Sequence, residues 1–138
     1  MDTNTNFPRS ILITDDHGII RLTLREWLVG EFPELSIQEA CSGEQALELL
    51  AAKPRPELVL MDFHLPGRSG IDVTKQIKNQ FPDIRVVVLT IQEDQQYIEQ
   101  AREAGADGYV IKRQMYTDLI PSIQNIFSGS IEPGSLNG

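Results

Sequence analysis

One cysteine is all that this chain of 138 residues carries. A lone thiol closes no internal disulfide, so a disulfide-stapled scaffold is excluded. Set in "EACSGEQAL", Cys41 reads instead as a small packing residue, buried or half-buried. Long apolar runs are missing too: none approaches the roughly 20 residues that cross a bilayer, and no membrane contact is expected. The opening "MDTNTNFPRS" lacks the basic stretch followed by an apolar one that marks a secretory signal. The expected compartment is the cytoplasm, where thiols stay reduced.

Positive charge is also in short supply. Lys and Arg number 12 against 20 Asp and Glu, a net charge of −8. Such a surface repels a phosphate backbone, so these residues by themselves are not expected to bind nucleic acid. The loop "GRSG" around Arg68 lacks the glycine-rich turn followed by Lys and Ser or Thr that cradles phosphates. No internal repeat is visible.

What remains is the composition of a globular protein, 41% hydrophobic and 23% charged, with enough chain for one core but not two. Short β-branched or apolar runs alternate with stretches of helical period. "RSILIT" is a strand, and the helix after it carries Ile20, Leu24, Trp27 and Leu28 on one face. "LSIQEA" is a second strand, followed by a helix "GEQALELLAAK" with Ser42 as N-cap and Pro54 and Pro56 as stops. "ELVLM" is apolar throughout, as a strand covered on both faces should be. The helix "IDVTKQIKNQF" places Val73, Ile77 and Phe81 on one face, and "IRVVVLT" is the fourth strand. "EDQQYIEQAREAGA" offers a thin stripe of Tyr97, Ile98, Ala101 and Ala104, and "DGYVI" is the fifth strand. A last helix is expected from Thr117 or Asp118 to Ser128, with Pro121 tolerated near its first turn. Five strands alternating with five helices make an α/β domain with a parallel sheet and right-handed crossovers. The domain should occupy residues 9–128, after a disordered stretch 1–8 and before a Gly, Ser and Pro-rich linker or tail 129–138.

In open α/β sheets, ligands bind beyond the carboxyl ends of the strands. Polar groups collect there: Asp15 and Asp16 after the first strand, Asp62 after the third, Thr90 at the end of the fourth and Lys112 after the fifth. Three crowded carboxylates repel, and one lysine cannot balance them. An all-oxygen set suits a hard ion, Mg²⁺ or Mn²⁺, more than zinc, and Mg²⁺ tends to share its site with a phosphate. If Asp62 attacks phosphorus, the metal, the Thr90 hydroxyl and the Lys112 ammonium can hold the charge that spreads over the oxygens.

In the order and spacing of "ILITDDH", "LVLMDFHLPGRSG", "VVVLT" and "GYVIK", from about Ser10 to Ser128, the chain resembles the receiver domain of bacterial two-component response regulators. The resemblance implies a doubly wound, flavodoxin-like sheet in the order 2-1-3-4-5 with five helices. It implies that Asp62 is the phosphoacceptor, loaded from the phosphohistidine of a sensor histidine kinase. Asp16 and Asp62 would bind Mg²⁺ directly together with the backbone carbonyl of His64, and Asp15 largely through water. Thr90 and Lys112 would contact the phosphoryl oxygens, and Tyr109 would be the aromatic switch. Such a domain is a signalling phosphoacceptor rather than an enzyme, with only self-catalysed phosphorylation and dephosphorylation. "ACSGEQAL" and "LIPSIQNIFSG" further resemble receivers of LuxR-type regulators, so the expected output is transcription, through a DNA-binding domain absent from this chain. The alternative is a stand-alone receiver acting by protein–protein contact. A phosphorylation-dependent homodimer is expected through the face of helix four, strand five and helix five, or through the side formed by helices one and five.

Two positions depart from the family pattern. Ile91 follows the switch threonine where a small residue is usual, and Arg113 follows the lysine where proline is usual, so the customary cis peptide after Lys112 is in doubt. Simpler roles stand beside these: Asp15 and Asp16 as a helix cap, Thr90 as a cap, Lys112 on any surface acid, Tyr109 as packing. His17 and His64 are read as shaping access rather than binding the ion. An aspartyl-phosphate phosphatase would carry a second Asp where His64 stands. A flavodoxin-like cofactor carrier would need a Ser, Thr and Gly-rich first loop in place of "DDHG".

Overall fold

The computed structural model describes residues 6–128. Alternation of apolar runs and amphipathic stretches becomes β1 (Ser10–Thr14), α1 (Gly18–Glu31), β2 (Ser36–Ala40), α2 (Gly43–Ala51), β3 (Leu58–Met61), α3 (Gly70–Gln80), β4 (Arg85–Thr90), α4 (Gln95–Glu103), β5 (Gly108–Ile111) and α5 (Met115–Ser128). The strands form one parallel sheet in the order β2-β1-β3-β4-β5, as expected for a flavodoxin-like receiver fold. A period of two sends neighbouring residues to opposite faces. Ile11 and Ile13 thus pack with Leu24 and Leu28 of α1 and with Leu119 and Ile123 of α5. Leu12 packs with Ala46 and Leu50 of α2 and with Val73 and Ile77 of α3. The stripe of α4 is as thin as its sequence suggests: Ala101 and Ala104 sit against Phe63, Ile71 and Val88, with Tyr97 half-buried beside them.

Helix α2 starts where Ser42 predicts. The Ser42 hydroxyl accepts from the Gln45 amide, and the Gln45 side chain in turn accepts from the Cys41 amide. This cap corrects the reading of Cys41, which is exposed. Strand β2 ends with the buried Ala40, and the next residue already belongs to the turn that presents the cap, outside the core.

Helix α5 begins earlier than expected. A 3₁₀ turn, Lys112–Gln114, runs directly into it at Met115, leaving Pro121 well inside the helix instead of near its first turn. The buried face is Met115, Leu119, Ser122, Ile123 and Ile126, while Pro121 is exposed. The backbone bond that proline removes therefore lies on the solvent side, and burial of the opposite face overrides a penalty of about 3 kcal/mol.

The folded unit also reaches ahead of Arg9: Phe7 and Pro8 are buried, and Phe7 stacks on Phe32 with ring centroids 3.8 Å apart. The tail 129–138, read as linker, and residues 1–5 lie outside the described residues. Among the described residues the one cis peptide is Lys53–Pro54, so the Lys112–Arg113 bond is trans.

Asp107 closes the edge of the sheet opposite the strands' carboxyl ends. Its Oδ2 accepts from the Val86 amide at 2.8 Å and from Lys78 Nζ at 3.0 Å, and Lys78 also donates to the Ile84 carbonyl. Asp107→Asn keeps the shape but removes the charge facing Lys78. We expect it to cost about 1–2 kcal/mol in urea unfolding; an unchanged midpoint would show that the pair contributes nothing.

Candidate functional site

Parallel register decides which groups meet. Thr14 lies opposite Met61, Met61 opposite Val88 and Thr90 opposite Ile111, so the residues that follow emerge at one rim. The ladder runs one residue beyond the strands: the Asp62 amide donates to the Thr14 carbonyl at 3.0 Å and the Asp15 amide to the Ala40 carbonyl at 3.1 Å. Asp15 and Asp62 are thereby held by their backbones, with 2% and 5% of their surface exposed.

Lys112 stands between them. Its Nζ donates to Asp15 Oδ2 at 2.8 Å and lies 3.5 Å from Asp62 Oδ2. Burial, and then the charge of Asp15, push the Asp62 carboxyl above its ordinary range; Lys112 and the His64 amide, 3.4 Å from Oδ1, oppose this with smaller effect. An ionised Asp62 is therefore a cost to the fold that grows as pH rises from the ordinary carboxylate range through its raised value.

Asp15, Asp16, His17 and Asp62 each offer a ligand atom, all within 4.8 Å of one another. His17 is closer to this cluster than its sequence position suggests. Its Nδ1 lies 3.0 Å from Asp15 Oδ1 and 3.2 Å from Asp16 Oδ1, and its amide also bonds Asp15 Oδ1. His17, not either aspartate, is the N-cap of α1, with no side-chain capping bond, so the capping role for Asp15 and Asp16 fails. Thr90 is not a helix cap either, since the N-cap position of α4 is Asp94.

Thr90 is fully buried, and its hydroxyl accepts from the Gln92 amide at 3.3 Å. Tyr109 is half-buried and donates its hydroxyl to the Gln92 carbonyl at 2.8 Å; burial, with lesser help from Tyr97 and Asp94, pushes the phenol up to about 12. His64 is exposed, with Nε2 3.0 Å from the Gln92 side-chain nitrogen. Gln92 thus links three of the predicted residues, yet nothing in the sequence marks it. Gly70 and Arg21 were equally silent. A Cβ on Gly70 would stand 1.9 Å from the Asp62 carbonyl oxygen, and Arg21 Nη1 donates to the Asp15 carbonyl at 2.7 Å. Arg113 pairs with Glu93, and Ile91 is exposed.

The family model described as "Response regulator receiver domain" matches residues 11–124. The chain belongs to this family. Receivers of two-component systems are signalling phosphoacceptors rather than enzymes in the ordinary sense; they take phosphate from sensor histidine kinases and bind Mg²⁺ at an acidic pocket. This receiver is 38% identical over 137 residues, 99% of the chain, to the transcriptional regulatory protein PdtaR of Mycobacterium tuberculosis, of which it spans 65%. A two-component response regulator of the LuxR family from Aurantimonas sp. SI85-9A1 superposes with a TM-score of 0.81 at 31% identity, covering 92% of this receiver and 91% of that chain. A response regulator from Burkholderia pseudomallei, solved with a phosphorylated aspartic acid, a calcium ion and citrate, gives 0.75 at 27% identity over 88% of this receiver and 69% of that chain. No helix among the receiver's described residues is long and apolar enough to cross a membrane.

Proposed function

We propose that Asp62 takes a phosphoryl group from the phosphohistidine of a sensor histidine kinase, at a site that also holds Mg²⁺. The observation that carries this is the pair of buried carboxylates, Asp15 and Asp62, sharing one ammonium at the rim of the sheet. A divalent cation fits the donors present. Asp15, Asp16 and Asp62 supply hard oxygen ligands, two of them buried with more negative charge than Lys112 balances, and the His64 carbonyl is the candidate fourth ligand. Bound there, the ion would neutralise the carboxylates and the phosphoryl oxygens.

A carboxylate oxygen of Asp62 bonds to phosphorus as the bond to the kinase histidine nitrogen breaks, and the electron pair leaves with that nitrogen. Lys112, already 3.5 Å from Asp62, needs little movement to meet a phosphoryl oxygen. The Thr90 hydroxyl supplies a second donor by turning from the Gln92 amide, and the loop that Gln92 ties to Tyr109 follows. We propose that this shift reshapes the surface of α4, β5 and α5, promotes homodimerisation and controls transcription through a DNA-binding domain beyond these residues.

Incubation with acetyl phosphate should add one phosphoryl group to the intact mass, only with Mg²⁺ and not in Asp62→Asn. Light scattering on the same sample should show a gain in mass. Adduct formation by Asp62→Asn, or none by the parent chain, would sink the assignment; an adduct without mass gain would sink the dimer alone.

A further inference from the structure

Helix α1 carries its charge at an unfavourable end. Its first turn has no acidic residue to meet the positive pole of the helix, and the fourth residue is Arg21. The guanidinium folds back over that turn, with Nη2 3.7 Å from where a Cβ on Gly18 would stand. Stability of α1 does not explain this placement. Its contacts do: Nη1 donates to the Asp15 carbonyl at 2.7 Å, and Nε donates to Glu39 Oε1 at 3.0 Å. Glu39 is anchored from its other oxygen by Arg25 Nε at 2.6 Å, and Arg25 also reaches the Ile37 carbonyl. Hydrogen bonding from Arg25 and then Arg21 outweighs partial burial and keeps the Glu39 carboxyl below its ordinary range, ionised and able to orient Arg21.

The Asp15 carbonyl belongs to the peptide that joins Asp15 to Asp16. That unit is planar, so fixing its oxygen fixes the direction in which the chain leaves for Asp16. Asp15 has further anchors in its amide bond to Ala40 and its bond to Lys112. Asp16 has few: it is exposed, with His17 Nδ1 3.2 Å away.

We infer that Arg21, oriented by Glu39, is a positioning residue for the divalent cation. It aims the Asp16 carboxylate at the cluster by holding the Asp15–Asp16 peptide. The inference rests on the cation site proposed above.

The test is calorimetric Mg²⁺ titration of the full chain as wild type, Arg21→Gln and Arg25→Gln, with thermal unfolding of each. Arg25→Gln removes the other arginine from Glu39 but leaves the Arg21 bond to the Asp15 carbonyl in place. Arg21→Gln should weaken Mg²⁺ binding about tenfold, the usual scale for outer-shell groups, while Arg25→Gln, which loosens Glu39 without freeing the Asp15 carbonyl, should weaken it by no more than about threefold. Equal weakening in both variants would reduce Arg21 to a structural role and overturn the inference, as would wild-type affinity in Arg21→Gln. A wild-type chain that binds no Mg²⁺ would instead overturn the cation site itself.

Discussion

Lys112→Met is expected to destabilise the protein by about 3–5 kcal/mol at neutral pH, the range for removing one partner of a buried charge pair. Methionine retains most of the apolar stem, so the loss is electrostatic. Without the ammonium, Asp15 and Asp62 face each other buried and without their shared cation. Asp62 is already pushed up by burial and by Asp15, and losing Lys112 removes one of the two influences that hold it down. Because the folded state then binds a proton more tightly than the unfolded chain, stability should rise as pH falls from neutral towards the ordinary carboxylate range. Urea unfolding between pH 7 and pH 5 checks the sign. A deficit that stays constant over that interval would mean that the carboxylates are not the cause. With Mg²⁺ added, the variant should recover more stability than wild type, because the ion replaces a charge that wild type already has.

Gly70→Ala is expected to cost about 3 kcal/mol or more, at the upper end of overpacking effects. The added Cβ would lie 1.9 Å from the Asp62 carbonyl oxygen and 2.9 Å from its carbon, and both are backbone atoms that cannot turn aside. Either α3 moves off the sheet, breaking the Gly70 amide bond to the Phe63 carbonyl, or Asp62 moves with its strand. The surroundings of Asp62 change in both cases, so phosphorylation at this proposed acceptor should fall along with stability. Two other glycines calibrate the result. At Gly43 the new Cβ would meet the Val73 side chain at 2.4 Å, a contact that repacking can relieve in part, and the cost should be smaller. At Gly30 nothing lies within 4 Å, and alanine should stabilise α1 by about 0.5–1 kcal/mol. Thermal unfolding of the three variants should rank them in that order, and Gly70→Ala at wild-type stability would show that the close approach is relaxed in solution.

The strands were legible because buried parallel strands must be apolar on both faces, and Leu58–Met61 and Val86–Leu89 are. Asp62 and Lys112 were legible because a charge directly after such a strand has a cost that only a partner removes. Cys41 was misread for want of one fact about register, the end of β2 at Ala40. Pro121 was misplaced because its tolerance depends on which side of α5 the core lies. His17 lies two residues from Asp15, but only the turn into α1 brings its ring onto two carboxylates.

Gln92, Gly70 and Arg21 mark the boundary between the two kinds of information. From the chain alone follow the alternation of elements, the parallel α/β class and the polar residues at the strand ends, since each rests on short-range periodicity or on the cost of a buried charge. Tertiary structure alone decided that the Gln92 backbone joins Thr90 to Tyr109, that Gly70 leaves room for Asp62, and that Arg21 holds the Asp15 carbonyl. Most of these contacts pair a side chain or an absent Cβ with a backbone oxygen, and every residue offers the same carbonyl. Sequence carries no trace of such a partner; only the path of the folded chain selects it.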